Sequence, residues 1–324
     1  MHILKSSDRC PEALKGVCLA IGNFDGVHRG HQVVLRAALD AGNATGASSG
    51  VMIFEPHPRD FFQPENHVFR LTPEPLKLKL FEAMGLDLAV VQAFDADLAA
   101  RPAADFVREI LLGDLGVSHV ITGSDFQFGK GRDGNAGVLR ELGAQHGFGV
   151  TIVEPQGGDE GVFSSSGVRE HLRCGEPRAA ANILGYWWRV GGKVVGGDKR
   201  GRLIGFPTAN IQASPGFGLK HGIYAVRVHT GEGRFNGAAY LGTRPSFDDG
   251  LPAIETFLFD FSADLYGQEI ELEVIEFLRD DEKFDSAEAL TKQMASDCEK
   301  ARDVLAELER SDPIAHFPLA QALA

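Results

Sequence analysis

Five short apolar runs mark the first half of the chain: VCLAIG at 17–22, GVMIFEP at 50–56, LDLAVVQAF at 86–94, SHVITG at 118–123 and GVTIVEP at 149–155. Their unbroken Val/Ile/Leu character predicts strands covered on both faces. Between them the apolar positions recur at helical spacing, as at Val34, Leu35, Ala38 and Leu39, and again at Phe106, Val107, Ile110 and Leu111. Strands alternating with helices predict a parallel α/β sheet.

The pattern changes after Gly185. Glycines crowd in at 191, 192, 196, 197, 201 and 205, and the apolar period shortens to two in IYAVRV, AIETFLFDF and QEIELEVIEFL. In the last run Ile270, Leu272 and Val274 point one way while Glu271 and Glu273 point the other, the signature of half-buried antiparallel strands. About six such strands with glycine corners predict a small barrel or sandwich. The tail reads as a helix, with a stripe of Ala287, Leu290, Met294, Ala301, Leu305 and Leu308 behind a Ser286 N-cap. The expected division falls between residues 180 and 192, giving domains of 1–185 and 186–324. No internal repeat or low-complexity tract interrupts this plan.

Composition narrows the class. The chain has 324 residues, enough for two cores, and a net charge of −13, which argues against a large nucleic-acid footprint. Cys10, Cys18, Cys174 and Cys298 lack both C-x-x-C spacing and a disulfide framework. The first sixteen residues lack the apolar segment of a signal peptide, and no apolar run is long enough to span a bilayer. The expectation is a soluble, cytoplasmic protein.

Chemistry enters where the first apolar run ends. Gly22, Gly26 and Gly30 surround His28 and His31 at a strand-to-helix junction. Unpaired N–H groups and the helix dipole favour phosphate at such a place, and two imidazoles three residues apart can face one pocket. A metal pair without an evident third ligand, or solvated helix-start residues, are the alternatives. Neither G-x-x-x-x-G-K-[ST] nor G-x-G-x-x-G occurs at this junction.

GNFDGVHRGH resembles the G-x-F-D-G-x-H-x-G-H signature of the adenylyltransferase module of prokaryotic bifunctional riboflavin kinase/FMN adenylyltransferases (FAD synthetases). IFEPHPRDFF, ITGSDFQFGKGRDG and SSSGVREHLRCGE follow that module's later segments in order, with Ser166 and Val168 replacing its usual Thr and Ile. The resemblance implies that Gly22, Asn23, Phe24, Asp25, Gly26, His28 and His31 line an ATP site. It places Asp125 and Phe128 by the nucleoside, Ser164, Ser165 and Arg169 at phosphate, and Pro56, His57 and Pro58 beside the flavin or nucleotide.

The second cluster is GGKVVGGDKRGRLIGFPTANI at 191–211. Pro207 restrains its neighbour Phe206 to an extended backbone, and in a strand Thr208 and Asn210 share a face and offer neutral oxygens of the kind Mg²⁺ accepts. Taken alone, P-T-A-N reads equally as a turn entering a strand. The whole run is similar to the riboflavin kinase motif G-x-V-V-x-G-D-x-R-G-R-x-L-G-F-P-T-A-N-I, and GIYAVRV, YLGTRPSF, IETFLFDFSADLYG and FLRDDEKFDS continue that module's order. By this resemblance Gly197, Lys199, Gly205, Phe206, Pro207, Thr208 and Asn210 hold ATP, Thr208 and Asn210 hold Mg²⁺, Glu255 is the catalytic carboxylate and Arg279 helps close the flavin site. Two departures stand out. LGYWWRV replaces a usual L-G-R-P-Y, its Trp187 and Trp188 serving either to pack the domains or to begin the barrel core. In YLGTRPSF, Tyr240 and Ser246 replace the usual Asn and Thr.

The resemblance spans roughly residues 15–309. It implies a Rossmann-like nucleotidyltransferase domain with a parallel sheet, followed by a small antiparallel β-barrel riboflavin kinase domain with a terminal helix. Riboflavin, FMN, FAD and ATP are the implied ligands, with ATP a co-substrate at two sites and no nucleic-acid or membrane partner. An enzyme retaining one activity, or a flavin-binding regulator without turnover, are the rival readings.

Overall fold

A computed structural model describes residues 1–6, 8–158, 161–196, 205–243 and 252–323. The chain divides into two compact units. The first comprises residues 1–68, 72–164 and 322–324, and the second comprises 69–71 and 165–321.

The first unit is built on a six-stranded parallel sheet of β1 (His2–Lys5), β2 (Cys18–Ile21), β3 (Ser49–Glu55), β4 (Leu88–Ala93), β5 (His119–Gly123) and β6 (Gly149–Val153), in the order β1-β4-β3-β2-β5-β6. The five expected strands are present. The sixth, β1, was not legible because only Leu4 of HILK is buried; an edge strand needs one covered position, not a run. At the other edge β6 is only half-buried throughout. Helix α1 (Arg29–Thr45) buries Val34, Leu35 and Ala38 and ends at Gly46, whose φ of 73° suits glycine. Full burial of a side chain such as Leu35 contributes about 1.5–3 kcal/mol. The segment Phe106–Asp114 buries its expected positions but is wound as a π-helix. Chain connections run from β2 through β3 to β4 on one side and resume at β5 on the other, so the sheet's switch point lies between β2 and β5.

The second unit begins with helices α4 (Ser165–Cys174) and α5 (Pro177–Leu184); α2 (Glu74–Ala83) and α3 (Ala136–His146) belong to the first. Six antiparallel strands follow: β7 (Arg189–Lys193), β8 (Ala209–Gln212), β9 (Gly222–Thr230), β10 (Gly233–Thr243), β11 (Pro252–Leu258) and β12 (Glu269–Arg279), in the order β7-β12-β9-β10-β11-β8. Val195 N–H donates to the Asn210 carbonyl at 2.8 Å, joining the chain after β7 to β8 and nearly closing the barrel. Tyr224, Val226, Leu241, Ile254, Leu272 and Val274 fill its interior. Helix α6 (Ala287–Arg310) starts where Ser286 Oγ accepts the Ala289 N–H at 3.1 Å, and packs Ala301, Leu305 and Leu308 against Ala225 and Ile275. Trp187 and Trp188 are both core residues of this unit; their indoles donate to Asp312 and to the Leu71 carbonyl.

Glu271 and Glu273 share the outward face, yet Glu273 is only 5% exposed. Register explains it: Arg189 on β7 and Arg227 on β9 lie directly opposite Glu273 on either side. Arg189 Nη2 donates to Glu273 at 2.6 Å, while Arg227 and His229 approach at 3.3 and 3.1 Å. Burial alone would raise this carboxyl's pKa, and the His229, Arg189 and Arg227 groups overcome it to hold the value at about 2. A depressed carboxylate pKa contributes stability that is complete above the unfolded value of about 4.3 and lost as pH falls toward the folded value. Glu273→Gln should therefore flatten the acid dependence of the unfolding midpoint between about pH 4.5 and 2. It should also destabilise the fold near neutrality, because Arg189 and Arg227 each lose one carboxylate partner and keep only Glu271 and Asp312. Denaturant titrations across that range check both, and an acid dependence unchanged in the variant would contradict the assignment.

Candidate active sites at a helix start and a barrel seam

In the first unit the loop after β2 turns into α1 through Gly22 to His28. Phe24 and Val27 take φ of 47° and 39°, a left-handed backbone that costs non-glycine residues about 1–3 kcal/mol each. Neighbours hold it there. Asp25, nearly fully buried, accepts the Thr72 N–H at 3.0 Å and its hydroxyl contact at 3.2 Å, while Gly26 N–H donates to Thr72 Oγ1 at 2.8 Å. The Phe24 ring meets His31 and Phe81 edge-on at 5.3 and 6.1 Å. Thr72 was not singled out in the sequence, because LTPEP reads simply as the entry to a helix.

His28 is the N-cap of α1. Its Nδ1 accepts the His31 N–H at 3.3 Å, which leaves Nε2 to carry the ring proton as a donor. The two imidazoles stack at 3.6 Å, with 21° between planes. Burial, His28 and Lys77 push the His31 pKa well below its usual value, so this ring is a neutral imidazole. His31 Nδ1 and Asn23 Oδ1 are buried without hydrogen-bond partners in the described structure. Among the described residues no group of three or more His, Cys, Asp or Glu could hold a metal ion. The arrangement is a set of neutral donors and orphaned polar atoms at a positive helix end, suited to a phosphate chain.

The carboxyl ends of neighbouring strands meet this loop's edge of the sheet. β3 leads into Pro56, His57 and Pro58, where His57 Nδ1 accepts the Arg59 N–H at 3.1 Å and caps the short helix Pro58–Phe62. Lys77, 1% exposed, pairs with Glu55 at 3.1 Å. Phe61, Phe62 and Phe94 form an edge-to-face trio at 5.2–5.8 Å, with Phe62 largely exposed; the DFF run was the only signal for it. Beyond β5, Asp125 is exposed, and Phe128 stacks on Phe126 at 5.3 Å. Phe163, next to Ser164, lies under the Arg29 guanidinium at 4.3 Å. Ser165 and Arg169 are on α4 of the second unit, where Arg169 Nε donates to the Phe69 carbonyl at 2.7 Å.

In the second unit strand register makes the second site. Asn210 on β8 opposes Glu255 on β11, and Glu255 opposes Tyr240 on β10. Tyr240 opposes Ile223 on β9, which opposes Arg279 on β12. Asn210, Glu255 and Arg279, far apart in sequence, thus occupy one row across the sheet. Asn210 Oδ1 is buried without a partner, and its Nδ2 donates to the Thr208 carbonyl at 3.3 Å. Phe206 meets Phe257 edge-on at 5.2 Å, and Gly205 at φ 87° turns the chain into Pro207 and Thr208. Gly197 and Lys199 lie outside the described residues. Arg279 is engaged by protein: its Nε and Nη2 bind Asp297 at 2.7–3.1 Å and its Nη1 the Asp280 carbonyl at 2.9 Å.

Two family models match in chain order: FAD synthetase over residues 10–167 and riboflavin kinase over residues 184–305. The Haemophilus influenzae bifunctional riboflavin kinase/FMN adenylyltransferase is 36% identical over 306 residues, covering 93% of this chain and 98% of that protein. The chain belongs to this bifunctional family. The Escherichia coli member is 36% identical over 292 residues, covering 89% of this chain and 93% of its own length. A crystal structure titled as a macrolide-efflux protein from Streptococcus pneumoniae superposes with a TM-score of 0.81 at 26% identity, covering 93% of this chain and 99% of that one. The family's adenylyltransferase segment therefore carries the helix-start site, and its kinase segment carries the barrel row.

Thr72 tests how far the first loop depends on its buried support. Thr72→Val keeps the shape but deprives the Gly26 N–H of its acceptor, which costs about 1–3 kcal/mol. FAD formation from FMN should fall while FMN formation from riboflavin stays within twofold of normal. Equal losses in both activities would contradict a local role.

Proposed function

We propose that the chain makes FAD in two ATP-dependent steps, one in each family segment, with the functional boundary at 185/186. The observation that carries this reading is the ordered pair of family matches, each covering a built constellation of buried, orphaned polar atoms. The kinase step transfers the γ-phosphoryl group of ATP to the ribityl 5′-hydroxyl of riboflavin, releasing ADP. Glu255 accepts or orients the hydroxyl proton, and Gly197, Lys199, Gly205, Phe206, Pro207, Thr208 and Asn210 hold ATP. Asn210 Oδ1, buried and unpartnered, fits an oxygen ligand for Mg²⁺, with Thr208 beside it. Bound there, Mg²⁺ supplies charge neutralisation to the phosphates. Arg279 helps close the flavin site, its guanidinium held in place by Asp297 and the Asp280 carbonyl.

The adenylyl step joins an oxygen of the FMN phosphate to the α-phosphorus of a second ATP and expels pyrophosphate. The nucleophile is already an anion, so this step needs positioning and stabilisation of the departing charge rather than a base. His28, its tautomer set by the cap, and neutral His31 donate to the triphosphate. Gly22, Asn23, Phe24, Asp25 and Gly26 shape the loop around it. Asp125 and Phe128 take the nucleoside, Ser164, Ser165 and Arg169 the phosphates, and Pro56, His57 and Pro58 border the flavin or nucleotide. The four cysteines are free thiols, in keeping with a cytoplasmic location. No described helix is long and apolar enough to cross a membrane.

The two sites should separate by mutation. Glu255→Gln should lower FMN formation about 10²–10⁴-fold while sparing FAD formation from supplied FMN. His28→Ala should do the reverse, by about 10²–10³-fold. A folded variant that loses both activities together would overturn the division.

A further inference from the structure

The barrel row has a direction. If Asn210 faces the phosphate donor and Glu255 the accepting hydroxyl, as proposed above, the acceptor extends past Glu255 along the row. One strand further, about 5 Å away, stands Tyr240. Its hydroxyl donates to Asp281 Oδ2 at 3.0 Å. The bond reaches along the same face over Gly242, two residues on, where any Cβ would collide with the Tyr240 hydroxyl. A bare glycine thus makes the path by which this tyrosine leaves its strand. Asp281 lies in the acidic segment that follows β12, and neighbouring contacts hold the same segment. Lys220 pairs with Asp280 at 2.9 Å, and Arg279 stands 5.7 Å from the Phe284 ring.

We propose that Tyr240 is a positioning residue for riboflavin phosphorylation: its tether to Asp281 fixes the 280–286 segment beside the acceptor end of the Asn210–Glu255 row. Pre-ordering a loop that contacts a ligand strengthens binding by removing the ordering cost from the binding step. The effect falls on acceptor affinity, because the tether lies on the far side of Glu255 from Asn210. This inference rests on the assignment of Glu255 and Asn210 given above.

The test is steady-state kinetics on the full chain with Tyr240→Phe, Asp281→Ala and the double variant. Riboflavin KM should rise about five- to tenfold, the scale of one ordinary solvent-exposed hydrogen bond. The turnover number and ATP KM should stay within twofold, and the double variant should resemble either single one. FAD formation from supplied FMN, measured on the same preparations, should not change. An unchanged riboflavin KM, single-variant effects that multiply, or a joint shift of both KM values and turnover would overturn the tether. Glu255→Gln assayed alongside separates the premises: if it still makes FMN normally the Glu255 assignment fails, while a riboflavin-selective KM rise in Tyr240→Phe still upholds the tether.

Discussion

Backbone donors and acceptors must find partners when a regular element ends, and both sites stand where those partners run out. At the end of β2 the first turn of α1 offers N–H groups that no preceding carbonyl can accept. The protein answers with a residue that is also chemical: the His28 ring accepts the His31 N–H and in doing so fixes its own proton on the opposite nitrogen. At the barrel seam the constraint is an open sheet edge. The Val195 bond to the Asn210 carbonyl satisfies part of that edge while the Asn210 side-chain oxygen stays buried and uncommitted. In each case the group that completes the fold also presents the polar atom that a phosphate or its cation can use.

The two sites differ in how the chain supports them. The helix-start loop carries left-handed Phe24 and Val27, and it is stabilised by buried contacts from a distant segment, chiefly Thr72. The barrel row needs no strained backbone, because antiparallel pairing aligns Asn210, Glu255 and Tyr240 by register alone. Charged pairs anchor the strands of the same barrel. Glu273 between Arg189 and Arg227 locks β7, β12 and β9 together, and Arg279 with Asp297 ties the end of β12 to α6.

Much of this was legible in the chain. Continuous apolar runs gave the central strands of the parallel sheet, and period-two alternation gave the barrel strands, because burial imposes those patterns directly. Edge strand β1 escaped notice, since a strand with one covered residue leaves almost no pattern. Alternation placed Glu273 on the face away from Ile270, Leu272 and Val274, but its burial could not be read there, because alternation does not report whether arginines on both flanking strands cover that face. The histidine pair and the P-T-A-N segment were visible as motifs. Thr72, the Phe61–Phe62–Phe94 trio and the Tyr240–Asp281 bond were not, because each depends on contacts between segments whose pairing only folding decides. The replacement at Tyr240 was evident as a departure from the family pattern; its consequence required the register.

The central claim is that one chain carries two working sites used in sequence. Purified protein incubated with riboflavin, ATP and Mg²⁺, with flavins separated by chromatography over time, tests it most directly. The account predicts that FMN appears first and that FAD follows at its expense. No FMN from riboflavin, or FMN that accumulates without conversion to FAD, would contradict it.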